Sequence, residues 1–223
     1  IEAEFIVTDF KTAEILKVVN NIFHALKIVF ANEVGRFSTA HHLDAKEIMK
    51  LVCKDKKLNI SEKYLKPGHA YGGSCLPKDL RSFVYMARQK NIELPVIENI
   101  SSSNEFQINH TIKKINNHGS KKLGFVGLSF KPGTDDLRES PSVRLVEHFI
   151  GKGYDISIYD PHVKLSQLMG ANKKFIEEQI PHISQLLCEN IGTVFNKSDI
   201  IVTTRDEDFE QHLNENHHLI DLR

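Results

Sequence analysis

The chain has 223 residues, of which 40% are hydrophobic, and its 29 Lys and Arg residues balance its 29 Asp and Glu residues. This length and composition are typical of a globular protein with one large domain or two small ones. A formal charge of zero provides no broad basic surface for nucleic acid or anionic lipid. No apolar run approaches the roughly 20 residues of a membrane span, and three widely spaced cysteines do not suggest a disulfide framework. We therefore expect a cytoplasmic protein without a nucleic-acid or membrane partner.

Helical periodicity dominates the first half of the chain. Between residues 9 and 43 apolar residues recur at helical spacing, interrupted by no proline and by one glycine, Gly35, which predicts one unusually long helix. Three shorter helices are predicted over residues 45–54, 78–89 and 96–117. A helix this long is apolar over more of its circumference than one small domain can cover. We therefore expect a homodimer that forms through the long helix.

The hydrophobic period changes in the second half. Short apolar runs at residues 121–128, 154–160, 198–204 and 217–222 predict four buried strands, with a helix at 140–153 between the first two. Strands that alternate with helices predict a parallel sheet flanked by helices. The predicted fold class is therefore α/β. We divide the chain near "NNHGSKK" into an all-helical domain at 1–118, which contains the long helix, and a Rossmann-like parallel-sheet domain at 119–223.

The segment "AYGGSCLPKDL" (residues 70–80) is the strongest candidate for chemistry in the sequence. Two glycines precede Cys75 and permit another group to approach the backbone closely. Pro77 suits the first turn of a helix, which places Cys75 at a helix N-terminus, where the dipole favours a thiolate. We interpret Cys75 as a nucleophile, whereas Cys53 and Cys188 lie in apolar helical contexts typical of core residues.

Four polar side chains form a stripe along the predicted long helix. Lys17, Asn21, His24 and Asn32 fall within an arc of roughly 80° at helical spacing. A solvated face is one explanation, but such a face is usually rich in Glu and Lys rather than in Asn and His. The residues alone support a solvated face and a functional stripe equally.

A second candidate segment, "GLSFKPGTDDLRESPSVRL" (residues 127–145), follows the first predicted strand. In an open α/β sheet this is where a nucleotide phosphate tends to bind. Lys131 and Arg138 supply positive charge there, and Ser140 and Pro141 are predicted to cap and start the next helix. The dinucleotide fingerprint GxGxxG is absent, so the loop by itself is weak evidence.

Asp160 ends the second predicted strand in the motif "YDP". A carboxylate at this position could reach a ribose, but an Asp that caps a turn before Pro is the interpretation that we favour. No residue pattern predicts a metal site.

Three separated blocks of the sequence resemble the family of NAD-dependent nucleotide-sugar 6-dehydrogenases. They are "AEILKVVNNIFHALKIVFANE" (13–33), "YGGSCLPKD" (71–79) and "GLSFKPGTDDLRESPS" (127–142). Two further blocks, "KDKKLNISEKYLKPG" (54–68) and "GANKKFIEEQIPHI" (170–183), resemble the GDP-mannose branch of that family rather than the UDP-glucose branch. The similarity covers nearly the whole chain.

The resemblance implies an activity and a set of catalytic residues. The implied reaction oxidises the C6 alcohol of the sugar in GDP-mannose to a carboxylate, using two NAD per turnover through an aldehyde and an enzyme thioester. The product, GDP-mannuronate, is a sugar nucleotide of polysaccharide biosynthesis. Cys75 corresponds to the family nucleophile, Asn21 to the residue that helps to hold the oxyanion, and Asp79 to the carboxylate that works with Lys17 and a water.

The same resemblance assigns binding residues. The implied substrate contacts are His24, Asn32, Tyr64, Gly72, Gly73, Phe130 and Lys131. The implied cofactor contacts are Lys78 and Arg138. On this interpretation the two glycines let the sugar approach the thiol.

The sequence departs from the family in two ways. The N-terminal dinucleotide-binding domain of the family has no counterpart in this sequence, so we expect a fragment of the enzyme that does not turn over by itself. Lys66 stands where many members of the GDP-mannose branch have Arg. Two alternatives stay open: the substrate is another sugar nucleotide, such as UDP-glucose or a UDP-N-acetylhexosamine, or the chain is a non-catalytic nucleotide-sugar-binding and dimerisation module.

Overall fold

Four helices form the first half of the chain in the computed structural model, which describes residues 7–40, 42–56, 67–89, 91, 95–130, 133–163, 168, 170–205 and 209–223. The helices are α1 (Phe10–Ala40), α2 (Ala45–Val52), α3 (Leu76–Arg88) and α4 (Pro95–Asn116). Ile22, Ala25 and Val29 form one apolar stripe of α1 and pack against Leu80 of α3 and Ile100 of α4. The predicted long helix is therefore confirmed, and its buried stripe holds α3 in place.

Four parallel strands and their crossover helices form the second half. The elements in chain order are β1 (Lys122–Val126), α5 (Pro141–Gly151), β2 (Asp155–Tyr159), α6 (Gly170–Gln179), α7 (Ile183–Leu186), α8 (Ile191–Lys197), β3 (Ile200–Thr203), a 3₁₀ turn (Glu210–His212) and β4 (His218–Asp221). The sheet order is β2-β1-β3-β4, and every neighbouring pair is parallel. The prediction of a Rossmann-like parallel sheet after a helical region is confirmed.

Both faces of the sheet are covered, as a parallel sheet requires. On one face Leu123 and Phe125 of β1 join the apolar side of α5. On the other face Val126 and Ile201 pack against Phe195 of α8. Because the chain leaves β1 toward β2 on one side and later reaches β3 on the other, the strand order reverses between β1 and β3, and the loops that follow these strands meet at the carboxyl edge.

Residues 67–73, which we call the linking segment, lie between the two halves. The backbone N–H of His69 donates to the carbonyl of Leu222, just after β4, at 2.9 Å. Asn32 of α1 bonds to the same segment from the helical side. The linking segment is followed by Ser74 and Cys75, which we call the thiol loop. The segment thus brings the thiol loop to the carboxyl edge of the sheet. In the part of the chain that the structure describes, no helix is long and apolar enough to cross a membrane.

Candidate functional site

Cys75 is the residue immediately before α3, and Pro77 occupies the first turn of that helix. The thiol is exposed, whereas Cys53 and Cys188 are half-buried, and all three cysteines are free. The hydroxyl of Ser74 lies 3.9 Å from the sulfur of Cys75. The helix begins at Leu76, two residues before the predicted start, so the thiol lies directly at its N-terminus. This is a position where unpaired N–H groups favour negative charge.

Asp79 is the centre of a polar cluster one helical turn beyond the thiol. Its Oδ2 accepts a hydrogen bond of 2.5 Å from Nδ2 of Asn21 on α1. Nζ of Lys78 lies 3.3 Å from Oδ1 of Asp79, and Nζ of Lys17 lies 4.0 Å from Oδ2. The backbone N–H of Asp79 donates to the carbonyl of Cys75 at 2.9 Å, so the carboxylate and the thiol lie on the same side of α3.

The surroundings of Asp79 keep its carboxylate ionised. Burial raises the pKa of Asp79, but the hydrogen bond from Asn21 and the nearby charges of Lys78 and Lys17 outweigh burial, so the pKa lies below its usual value. An ionised carboxylate beside a thiol can accept a proton from a water but opposes a second negative charge.

The predicted polar stripe of α1 divides between two places. Lys17 and Asn21 reach the Asp79 cluster, and His24 lies half-buried on the same side of the helix. Asn32 does not join this cluster: its Oδ1 accepts from the backbone N–H of Gly68 at 2.7 Å, and its Nδ2 donates to the carbonyl of His69 at 3.2 Å. Both of its polar atoms therefore hold the linking segment.

The two glycines before Cys75 face protein atoms. A Cβ on Gly72 would lie against the carbonyl oxygen of Glu139 and 2.5 Å from Cδ of Pro141. Gly73 has φ +85°, and a Cβ there would lie 2.7 Å from the ring of Phe130. Close packing of the loop after β1 accounts for both glycines in the structure. It also brings Phe130 next to the thiol loop.

Arg138 lies on the loop between β1 and α5. It forms a two-pronged ion pair with Asp136, with bonds of 2.7 and 2.9 Å. The hydrogen bond to Asp136 raises the pKa of Arg138 against the opposing effect of burial, and the charge of Cys75 adds to this rise. Tyr64, Lys66 and Lys131 lie outside the described residues.

Asp160 and Arg205 form a second polar cluster that the sequence revealed only in part. Oδ2 of Asp160 accepts from the backbone N–H groups of Leu128 at 2.8 Å and Ser129 at 3.0 Å, and from Nη2 of Arg205 at 2.8 Å. Oδ1 of Asp160 accepts from the N–H of His162 at 3.0 Å, which closes the turn that "YDP" indicates. Arg205 was missed because no local pattern connects it with Asp160, 45 residues earlier.

Ser140 is the residue that precedes α5, but its hydroxyl does not cap the helix. Its Oγ donates to the carbonyl of Leu128 at 2.6 Å, and no side-chain cap bond is present. The predicted side-chain cap is therefore wrong, because the buried carbonyl of Leu128 takes the hydroxyl proton. Ser140 instead ties the loop after β1 to the start of α5.

A groove of about 440 Å³ lies between α3, α4 and α5. Two arginine–glutamate pairs border it, Arg81 with Glu139 and Arg144 with Glu105. Its described lining contains Pro77 but neither the thiol of Cys75 nor the Asp79 cluster. The groove is therefore not the candidate site, which lies where α1, the start of α3 and the loop after β1 meet.

Two family models match the chain, one over its helical region and one over its sheet region. Residues 11–106 match the central domain of the UDP-glucose/GDP-mannose dehydrogenase family, and residues 124–223 match the UDP binding domain of the same family. The chain belongs to the UDP-glucose/GDP-mannose dehydrogenase family. Its resemblance to nucleotide-sugar 6-dehydrogenases is thereby confirmed.

Individual relatives give the same result. The GDP-mannose 6-dehydrogenase of Pseudomonas putida is 46% identical over 210 residues, which are 94% of this chain and 48% of that protein. The UDP-glucose 6-dehydrogenase of Rickettsia bellii is 29% identical over 93% of this chain and 47% of that protein. The chain spans about half the length of the curated relatives that it matches.

Solved structures of this family have the same fold. A ternary complex of GDP-mannose dehydrogenase from Pseudomonas aeruginosa superposes with a TM-score of 0.68 at 42% identity, over 95% of this chain and 49% of that one. A UDP-glucose dehydrogenase from Pyrobaculum islandicum superposes with a TM-score of 0.84 at 24% identity, over 100% of this chain and 50% of that one. The second likeness concerns the fold alone.

Proposed function

We propose that this chain supplies the substrate-binding surface and the catalytic thiol of a dehydrogenase that oxidises GDP-mannose at C6 to GDP-mannuronate. NAD is the proposed acceptor of two hydrides in the whole protein, and a thioester on Cys75 is the proposed intermediate. Within the chain, residues 1–118 are the proposed thiol-bearing domain and residues 119–223 the proposed nucleotide-sugar-binding domain.

One observation carries this proposal: an exposed thiol at a helix N-terminus lies one turn before a buried, ionised carboxylate. Asn21, Lys17 and Lys78 converge on that carboxylate, Asp79, from two helices. A cysteine that only fills space is usually buried, whereas Cys75 is exposed. The arrangement is therefore typical of nucleophilic catalysis rather than of packing.

Each side chain of the cluster suits a separate step. The thiolate of Cys75 adds to the carbon of the C6 aldehyde, which forms a C–S bond and leaves an oxyanion. Nδ2 of Asn21 is the hydrogen-bond donor available to that oxyanion. The thioester forms once this adduct loses a hydride, for which NAD would be the acceptor in the whole protein. When water then hydrolyses the thioester, Asp79 accepts the proton of the water, and Cys75 leaves as a thiolate. Lys17 and Lys78 keep Asp79 ionised for this step.

The residues that the structure describes do not form a complete site for NAD. The fingerprint GxGxxG does not occur in the 223 residues. The two implied cofactor contacts are already engaged, Lys78 with Asp79 at 3.3 Å and Arg138 with Asp136 at 2.7 Å. We therefore assign no step on this chain to NAD, which belongs to the proposal for the whole protein.

Sequence identity supports GDP-mannose over a UDP-sugar as the substrate. Identity to the named GDP-mannose 6-dehydrogenase of Pseudomonas putida is 46%, against 29% to the UDP-glucose 6-dehydrogenase of Rickettsia bellii. We expect calorimetry on this chain to show binding of GDP-mannose and of GDP, with GDP preferred over UDP. Equal or reversed preference would transfer the proposal to a UDP-sugar.

The thiol chemistry can be tested without NAD. We expect the C6 aldehyde of GDP-mannose to protect Cys75 from iodoacetamide by forming a thiohemiacetal, while GDP-mannose itself protects less well. Cys53 and Cys188 are the internal controls, because neither should be protected. Binding of GDP-mannose without selective protection of Cys75 by the aldehyde would favour the non-catalytic module instead.

A dimer through α1 is part of the proposal. Leu16, Val19, Phe23 and Phe30 form a second apolar stripe on α1, and each is more than a third exposed. At helical spacing this stripe lies roughly 120° around the helix from the buried stripe, so α3 and α4 leave it uncovered within the described residues. A second copy of α1 is the occupant that we propose. Sedimentation at micromolar concentration should show a dimer, and a monomer would contradict this part of the proposal.

A further inference from the structure

Three side-chain amides hold the backbone of the linking segment. Oδ1 of Asn104 accepts from the N–H of Tyr71 at 2.9 Å, while its Nδ2 donates to the carbonyl of the same residue at 2.9 Å. Nε2 of Gln107 donates to the carbonyl of Gly68 at 2.5 Å. Asn32 bonds to Gly68 and His69 from the other side. These amides come from α1 and α4, which are separated by more than 50 residues in the chain.

The three amides satisfy backbone groups that no helix or strand satisfies. All three side chains are buried, and a buried backbone group without a partner is strongly unfavourable. The paired bonds of Asn104 engage both polar groups of Tyr71, as a neighbouring strand would. They therefore fix the position of this peptide along the chain as well as its orientation.

The sheet half holds the same segment from the opposite side. The backbone N–H of His69 donates to the carbonyl of Leu222 at 2.9 Å. The ring Nε2 of His69 lies 3.1 Å from Oγ of Ser142. A Cβ on Gly68 would lie 2.6 Å from the carbonyl oxygen of Leu222. With Gly73 packed against Phe130, the segment is fixed at both ends.

Cys75 follows the linking segment by two residues. We infer that Asn32, Asn104 and Gln107 are positioning residues that set the thiol of Cys75 at the N-terminus of α3. Their relevance to catalysis rests on the proposed function, whereas the position of the thiol does not. If the segment is released, the sulfur moves away from the helix N-terminus, whose unpaired N–H groups stabilise a nearby negative charge, and the thiol reacts more slowly as a nucleophile.

The test measures how fast iodoacetamide labels Cys75 relative to Cys188 in the same molecule at pH 7, by peptide mapping. In Asn104→Leu, which has similar volume but no polar side-chain atoms, we expect this ratio to fall about two- to fivefold, the effect of one helix-terminus interaction. Asn109→Leu is the matched control, because Asn109 lies exposed on the same helix. Its ratio should not change.

The absolute rates separate this result from general destabilisation: unfolding raises the labelling rates of Cys53 and Cys188, whereas the inference requires the rate at Cys75 to fall while the other two rates stay unchanged. If Asn104→Leu does not fold, Gln107→Leu, which removes one hydrogen bond instead of two, replaces it and should lower the ratio less. An unchanged or raised ratio in a folded variant overturns the inference. A lowered ratio combined with no aldehyde protection of wild-type Cys75 supports the positioning role and contradicts the proposed function.

Discussion

Two buried carboxylates show how the helical half and the sheet half differ. Asp79 is 4% exposed and Asp160 is 6% exposed. Burial raises the pKa of each, and hydrogen bonds and nearby cations outweigh burial, so that both pKa values lie below the usual range. The cations differ: Arg205, beside Asp160, has a side chain 2% exposed, whereas the side chains of Lys17 and Lys78, beside Asp79, are 66% and 59% exposed.

The burial and the pKa of a carboxylate therefore do not tell whether it belongs to a reactive site or to the scaffold. The exposure of the side chains that contact the carboxylate does distinguish the two. Asp160 accepts from two backbone N–H groups and from Arg205, so it ties together the loops that follow β1, β2 and β3. Asp79 lies next to exposed lysines and an exposed thiol. The first carboxylate stabilises the carboxyl edge of the sheet, and the second lies beside side chains that are exposed to solvent.

The largest expected effect is a loss of stability when the ion pair between Asp160 and Arg205 in the sheet half is broken. Asp160→Asn leaves Arg205 as a buried charge without its carboxylate, which should lower the free energy of unfolding by about 3–5 kcal/mol. Asp155→Asn is the control, because Asp155 is exposed at the start of β2. Urea titration of both variants measures the difference.

A second substitution sharpens this test. Adding Arg205→Met to Asp160→Asn removes the uncompensated charge and should recover part of the lost stability. If Asp160→Asn unfolds within about 0.5 kcal/mol of Asp155→Asn, the ion pair is not structural, and the contrast between the two carboxylates fails.

A smaller effect is expected from His69, in the linking segment between the two halves. Burial lowers the pKa of His69 to about 4. Since the unfolded state binds a proton near pH 6.5 and the folded state does not until about pH 4, the contribution of His69 is constant above pH 6.5 and is lost as pH falls toward 4. Between pH 7 and pH 5 it should reduce stability by about 1–2 kcal/mol.

Urea titrations at pH 7 and pH 5 measure this slope. The variant His69→Gln should have a shallower slope, whatever its absolute stability, because it has no group to titrate. Asp79 and Asp160 do not interfere, since the stability that their lowered pKa values contribute is lost only as pH falls below about 4. An identical slope in wild type and variant would show that His69 is not held neutral in the fold.

The smallest effect on stability is expected from Asp79, in the helical half. Asp79→Asn should change the free energy of unfolding by about 1 kcal/mol or less, because its cationic partners are exposed. Its effect should appear in reactivity instead: removing a negative charge one turn from Cys75 should speed alkylation of that thiol about twofold. A large loss of stability with unchanged alkylation would make Asp79 a scaffold residue like Asp160.

The sequence predicted what depends on local pattern. The long helix, the alternation of strands and helices and the position of Cys75 before α3 follow from spacing, glycine and proline, which act on near neighbours. The pairs that build the scaffold are separated by tens of residues, as Arg205 is from Asp160 and Asn104 from Tyr71. Only tertiary packing joins such pairs, so no local pattern could reveal them.

The glycines before Cys75 illustrate the same limit. Their presence predicted a close approach to the backbone, and in the structure the loop after β1 and the start of α5 make that approach. The residue type reports that space is needed, and it does not report what fills that space.

The central claim is that Cys75 is the chemical centre of this chain. Alkylation with iodoacetamide at pH 7, followed by peptide mapping, tests it most directly when run with and without GDP-mannose. We predict that Cys75 is labelled first of the three thiols, and that GDP-mannose slows its labelling while leaving Cys53 and Cys188 unaffected. Faster labelling of Cys53 or Cys188, together with no protection of Cys75, would contradict the claim and leave the thiol loop as architecture alone.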